Sequence, residues 1–220
     1  MGPLIGDISD GDSRRRKVMV QLATSTVGDR FEPISRDHGF VFSCGKQVTE
    51  TGYVIHDLCD QDYIHNHKKL LNPLDHANRV LVMGNYLVHM NHIQLVYDVL
   101  PIFAHGLGLG DINRRDRQNW RSAQKVTFPK VRHCLQELID GRVPEHRPNA
   151  ALLGTKTYLL VVWFYVEIFC SEEATLATRI KYAAIVAHFL AIWRNWVHGH
   201  PSFLSLCRDA DLLYEGPLFK

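Results

Sequence analysis

The sequence predicts an α+β protein with its strands in the first third and helices after them. Three observations carry that expectation. Runs rich in Val, Ile, Phe and Tyr occur at Phe40–Cys44 and Gly52–Leu58, each followed by polar or acidic residues. From Tyr86 onward, apolar residues recur at three- and four-residue steps. Two long apolar stretches, Leu152–Cys170 and Glu172–Val197, then dominate the last third.

The elements follow in order. Leu4–Ile5 and Ile8 suggest a strand end, and Ser9–Asp12 is turn chemistry. Ser13–Leu22 reads as a helix with Val18 and Leu22 inward and Arg14–Lys17 outward. Thr24–Cys44 is expected as a loop ending in a short strand at Phe40–Cys44. Gly45–Gly52 reads as a turn, so that strand pairs with Gly52–Leu58 as a hairpin. Asn72–Asn78 has no regular pattern. Tyr86–Leu100 has helical spacing through Leu87, Met90, Ile93, Val96, Tyr97 and Leu100, and Pro101 ends it. His105–Gly110 reads as a glycine-rich connection between helices. Ser122–Asp140 is amphipathic and interrupted at Pro129, with Val131, Leu135, Leu138 and Ile139 on one face. Ser171 is expected to cap the last helix, with Glu172 and Glu173 in its first turn. Ile180, Ala183, Ala184, Ala187, Leu190 and Ala191 form the buried face expected there. Gly199-His200-Pro201 stops it.

Bulk properties narrow the function classes. The 220 residues suit one domain, or one domain with a helical appendage. Apolar residues make up 46% and charged residues 22%, an ordinary globular composition. A net charge of +2 is too small to argue for nucleic acid, so any DNA contact must rest on local basic clusters. Five scattered cysteines without a CxxC argue against a disulfide framework or zinc ribbon, and fit a reducing compartment. No secretory signal pattern opens the chain. The apolar core Tyr158–Phe169 is too short to span a bilayer and is expected as a buried helix.

The chemistry concentrates in Gln61–Asn72, QDYIHNHKKLLN. Asp62 closes a strand, the kind of place from which a carboxylate reaches a hard metal ion. His65 and Lys69 fall a turn apart on any helix that follows, and that face suits phosphates. A solvated, capped strand-to-helix turn satisfies the same pattern. Asp57 and Asp60 read as turn residues. Further on, Arg114, Arg115, Arg117 and Arg121 surround Trp120. Arginine clamps phosphates and an indole stacks on a base, although a salt-bridged helix start looks alike. His105–Asp111 lacks the spacing of a phosphate-binding loop. The 13 histidines include the close pairs His65/His67, His89/His92 and His198/His200, none with cysteines at zinc-finger spacing.

Taken together, these motifs resemble P-element-like transposases. Gln61, Asp62, His65, Lys69, Leu70 and Asn72 form a QDxxHxxxKLxN run similar to that family's second-aspartate motif, with Tyr63 where proline is usual. Ser9-Asp10-Gly11-Asp12 resembles the strand end that precedes it. Met83-Gly84-Asn85, His92, His105-Gly106-Leu107, Asp111, Asp116-Arg117-Gln118-Asn119 and Arg194-x-Trp196 follow in the family's order, over residues 9–197. The resemblance implies a partial RNase H-like catalytic region over residues 1–78, an α-helical insertion over 79–200 and a tail over 201–220. It implies DNA strand cleavage and transfer by a DDE triad with Mg²⁺ or Mn²⁺, in which Asp62 is the second acid and a metal ligand. His65, Lys69 and Asn72 would support it. Lys68, Lys69, Arg114, Arg115, Arg117, Trp120 and Arg121 would contact DNA. The first acid and the final glutamate are expected outside this stretch, so the expectation is a fragment or co-opted remnant with an incomplete site. DNA is the expected partner, with missing transposase segments or further copies of the chain beside it. No membrane is expected, and the location is intracellular and nuclear. The competing expectation is a non-catalytic helical interaction module.

Overall fold

A computed structural model describes residues 6–9, 44–48, 54–76, 79–113 and 119–200. The expected helix at Ser13–Leu22, the Asp10-Gly11-Asp12 run, the basic residues Arg114, Arg115 and Arg117 and the tail lie outside these residues. The chain divides into two compact units, residues 1–66 and 67–220, and the boundary falls within a helix.

The first unit holds a three-stranded mixed sheet in the order β1-β3-β2, formed by β1 (Gly6–Ser9), β2 (Cys44–Val48) and β3 (Val54–Gln61). The central β3 runs antiparallel to β2, with Cys44 opposite Leu58 and Val48 opposite Val54. It runs parallel to β1, with Gly6 opposite Leu58 and Ser9 opposite Gln61. The expected antiparallel pairing exists between β2 and β3, and residues 40–43 of the expected first strand lie outside the described residues. Gly45–Val48, whose glycine and polar residues suggest a turn, is strand. Asp57 and Asp60, also expected in a turn, lie within β3. Ladder hydrogen bonds to strands on both sides override the weak β-propensity of those residues. Helix α1 (Tyr63–Leu71) begins directly after Asp62.

The second unit is mostly helical, so the chain as a whole is α+β. A 3₁₀ turn over Asn72–Asp75, with Pro73 near its start, occupies the stretch expected to be irregular. The hairpin β4 (Leu81–Met83) and β5 (Tyr86–Val88) follows. Gly84, at φ 57°, fills the first central position of its two-residue turn, where a hairpin favours glycine. The spacing places Tyr86–Val88 in the first turn of a helix, and the structure corrects this to strand. That helix, α2, covers only Met90–Val99, with Met90, Ile93 and Val96 buried while Leu87 is exposed.

Two four-residue helices, α3 (Ile102–His105) and α4 (Leu109–Ile112), come next. Helices α5 (Trp120–Thr127) and α6 (Pro129–Ile139) are divided where Pro129 suggests, with proline in the first turn of α6, where its missing N–H costs nothing. Val131, Leu135 and Leu138 are buried, as their spacing predicts.

The last two helices are α7 (Leu153–Cys170) and α8 (Leu176–His198). Among the described residues, these are the two helices long and apolar enough to cross a membrane, by length and composition alone. Inside the second unit, α7 packs against α5, α6, α8 and both strands of the hairpin. Its Thr155, Leu159 and Val162 are buried.

Two expectations about α8 fail. Thr175, not Ser171, caps it by accepting from the Thr178 N–H. Ser171 follows the end of α7 instead, and Glu172 and Glu173 sit in an exposed bend. Nor is its alanine-rich face buried. Ile180, Ala183 and Ala184 are exposed, and Val186, Trp193 and Val197 point inward. Helix α8 is apolar nearly all round, so periodicity gives no unique inward direction.

Candidate functional site

Asp62 sits where strand becomes helix. Its side-chain Oδ1 accepts the Ile64 N–H at 2.9 Å and its carbonyl accepts the Asn66 N–H at 3.0 Å. The first N–H groups of a helix have no partner within it, and an aspartate before the first turn supplies one. One carboxylate oxygen is therefore committed to capping α1. His65, Lys68 and Lys69 follow on α1, and Asn72 opens the 3₁₀ turn. These four are half-buried, His67 is fully buried, and all five are already engaged in contacts.

A magnesium or manganese ion needs several oxygen donors converging on one point. Among the described residues no three His, Cys, Asp or Glu side chains are placed to hold a metal ion. Asp62, with one oxygen already hydrogen-bonded, does not make such a site alone, and the described donor set does not fit the two-metal chemistry implied for it.

The basic cluster is only partly visible. Arg121 is exposed on α5. Trp120 opens the same helix half-buried, with its indole nitrogen inside and no hydrogen-bond partner among the described residues. Asn119 caps the helix, its side-chain oxygen accepting the Ser122 N–H at 3.1 Å. The capped helix start that follows the polar run is thus present, with Trp120 half-buried in its first turn.

The glycine-rich run connects helices and offers no cradle for a phosphate. Gly106 takes φ 72° after α3, a left-handed cap that glycine adopts without strain. His105 is buried, and its Nε2 lies 3.1 Å from the Leu100 carbonyl. That carbonyl can only accept, so Nε2 carries the proton and Nδ1 accepts the Leu107 N–H at 2.9 Å. Asp111 accepts the Gly108 N–H at 2.9 Å and Lys125 Nζ at 3.1 Å. The N–H groups of Gly106, Leu107 and Gly108 are thus already hydrogen-bonded.

One cluster was not foreseen. Thr155 of α7 is fully buried, and its hydroxyl lies 2.7 Å from His92 Nδ1 on α2. The same oxygen accepts the His89 N–H at 3.2 Å. His89 Nδ1 in turn accepts the Asn91 N–H at 3.0 Å, capping α2. Burial, with the neighbouring His89 second, holds the His92 pKa below the ordinary histidine value. A histidine beside a hydroxyl has the form of a base and its nucleophile. Here the hydroxyl is sealed from solvent and already accepts a backbone hydrogen bond, so its role is to tie α7 to the start of α2. The His89/His92 spacing is visible in the sequence, whereas their partner lies 63 positions away from His92.

A second unforeseen contact joins α6 to α7. The Arg132 guanidinium lies 4.6 Å from the centre of the Trp163 ring, a cation–π geometry. Burial lowers the Arg132 pKa, and the Glu167 charge partly offsets that.

No protein-family model, curated protein or solved structure matches this chain.

Proposed function

We propose that this chain is a transposase-derived DNA-binding protein. The observation that carries the reading is the register of the mixed sheet. Parallel strands β1 and β3 end in step, Ser9 opposite Gln61, and the next residue of the chain after each is an aspartate, Asp10 and Asp62. The resemblance leads one to expect a strand end at Ser9-Asp10-Gly11-Asp12 ahead of the second-aspartate motif, and the QDxxHxxxKLxN run spans the strand-to-helix junction after β3. A helical unit follows it, in the order the resemblance implies. The described residues bring no further metal donors to Asp62, so the proposal is confined to binding. The contacts assigned to DNA are Lys68, Lys69, Arg114, Arg115, Arg117 and Arg121, with Trp120 beside them.

A titration of the whole chain with duplex DNA at several salt concentrations tests this. Each phosphate neutralised steepens the log–log dependence of affinity on salt by about 0.9, so the six cationic side chains imply a slope of roughly −5 to −6. Replacing Arg114, Arg115 and Arg117 together with alanine should flatten it. Asp62→Asn keeps an oxygen to cap α1 and should leave affinity unchanged. Absence of binding at low salt, or a triple variant with the wild-type slope, rejects the proposal.

A second reading has its own observation. Leu176, Ile180 and Ile192 of α8 are 74, 61 and 69% exposed, more apolar surface than a solvated helix normally offers. A helical protein-interaction module would use such a face.

A further inference from the structure

Within the second unit, a cavity of about 330 Å³ opens between the β4–β5 turn, the start of α7 and the last turns of α8. Met83 and Trp193, both buried, form its floor, and the exposed Leu153 and Ile192 stand at its mouth. Four of its side chains are aromatic, Tyr86, Phe189, Trp193 and Trp196. Among the described residues that line it, none is charged, and Tyr86 and Thr157 carry the hydroxyl groups.

The wall is held by contacts made outside the cavity. Trp193 Nε1 donates to the Val82 carbonyl at 2.7 Å, and the Trp193 ring meets Tyr158 edge-on at 5.9 Å. The Trp196 ring lies 4.2 Å from that of His200. Gly154 lets α7 approach β5 so closely that a Cβ there would lie 2.7 Å from Tyr86 Cβ. The rings are therefore in place before anything binds, and little ordering is left to oppose a ligand.

We propose that this cavity binds a neutral aromatic molecule of two fused rings that carries one hydrogen-bonding group. Volume sets the number of rings. An apolar cavity of about 150 Å³ takes benzene, and one about twice that size takes two rings. The wall sets the charge. An ion taken out of water into a wall with no counter-charge loses its hydration and gains nothing in return. Aromatic faces attract cations, but α8 carries Arg179, Lys181 and Arg194 and no acid, so the potential along that helix opposes one. An anion finds no lysine, arginine or histidine among the described lining residues. A second aromatic system gains offset or edge contacts with the four rings, and a hydroxyl of Tyr86 or Thr157 fixes its orientation. None of the residues assigned to DNA lines the cavity, so this site stands or falls separately from that proposal.

Calorimetric titration of the whole chain with naphthol tests this. One molecule should bind per chain, saturably. Naphthoate and naphthyltrimethylammonium, the same rings bearing an anion or a cation, should bind more weakly by on the order of tenfold or more. Thr157→Phe puts a ring into the space and should weaken naphthol binding by roughly tenfold or more. Ile180→Glu, exposed on α8 and outside the cavity wall, should leave the affinity unchanged. Should Thr157→Phe fail to fold by circular dichroism, Ile192→Glu at the exposed mouth decides in its place, by the same loss. No saturable binding of naphthol, equal affinity for the charged compounds, or affinity untouched by the cavity variant overturns the proposal. So does an equal loss in Ile180→Glu, because the molecule then sits on the exposed apolar face of α8.

Discussion

Thr155 is a buried hydroxyl on which two histidines meet. Its oxygen accepts the His89 N–H and lies 2.7 Å from His92 Nδ1. Burial first, and the neighbouring His89 second, favour the neutral form of His92. The consequence for stability has a definite sign. His92 has a lowered pKa when folded, whereas the unfolded chain titrates near 6.5. Above about pH 6.5 both states are neutral and the stability is fully present. As pH falls below that value the unfolded chain takes up a proton that the folded chain resists, and stability declines until the folded group titrates too. Urea midpoints at pH 7.5 and 5.5 should therefore drop on acidification, and the drop should be smaller in His92→Gln. An equal drop in both chains would assign the effect to other groups. The sequence makes the His89/His92 pair legible and not its meaning, because the hydroxyl that His92 meets lies 63 residues distant.

At the scale of elements, backbone approach decides what neighbouring residues can be. Gly154, in the first turn of α7, faces strand β5. A Cβ there would lie 2.7 Å from Tyr86 Cβ and 2.9 Å from the Leu87 carbonyl oxygen, and backbone cannot yield as a flexible side chain does. Gly154→Ala gains helix propensity of up to ~1 kcal/mol, but overpacking typically costs about 1–3 kcal/mol. The clash is against the backbone of β5, so the steric cost outweighs the propensity gain and thermal melting should occur at a lower temperature. A variant melting at or above the wild type would mean that α7 and β5 are not in close contact. The same region explains what is hidden in the sequence. Gly84-Asn85 between apolar runs is a hairpin signal, but Leu87, Met90 and Ile93 also fit a helical step, and the longer pattern masks the shorter one. The strand is held by pairing with β4, a partner that a local window does not weigh. Helices α5, α6 and α7 are legible because Pro129 and the spacing of Val131, Leu135 and Leu138 are local signals. Helix α8 is legible in extent but not in orientation, because an apolar residue stands on almost every face. Asp62 is legible as a strand-to-helix junction. Its use as a cap depends on the Ile64 N–H, and metal coordination fits the same sequence until the surrounding donors are known.

At the scale of the molecule, the second unit has one continuous core. Leu71, Leu74, Ile93, Val96, Leu107, Leu135, Leu138, Leu152 and Leu159 belong to a single cluster of buried side chains drawn from α1, α2, α6 and α7, from the 3₁₀ turns at Asn72–Asp75 and Ala150–Leu152, and from the connection between α3 and α4. Helix α6 lies at its centre, packing against α2, α3, α5 and α7. Arg179 closes the connection from α7 to α8, donating to the carbonyls of Ile168, Ser171 and Ala174, so that the helix-end acceptors are satisfied where the chain turns. A core of this kind unfolds as a whole, because no helix in it buries its apolar face without the others. Leu135, fully buried in α6, provides the test. Leu135→Ala removes three buried heavy atoms and leaves a cavity, which costs about 2–5 kcal/mol. If the core is one cooperative unit, the slowest-exchanging amides of α2, α6 and α7 should all lose protection by a similar factor in the variant. Faster exchange confined to α6 would show instead that the helices of this unit open independently, and that their shared cluster does not couple them.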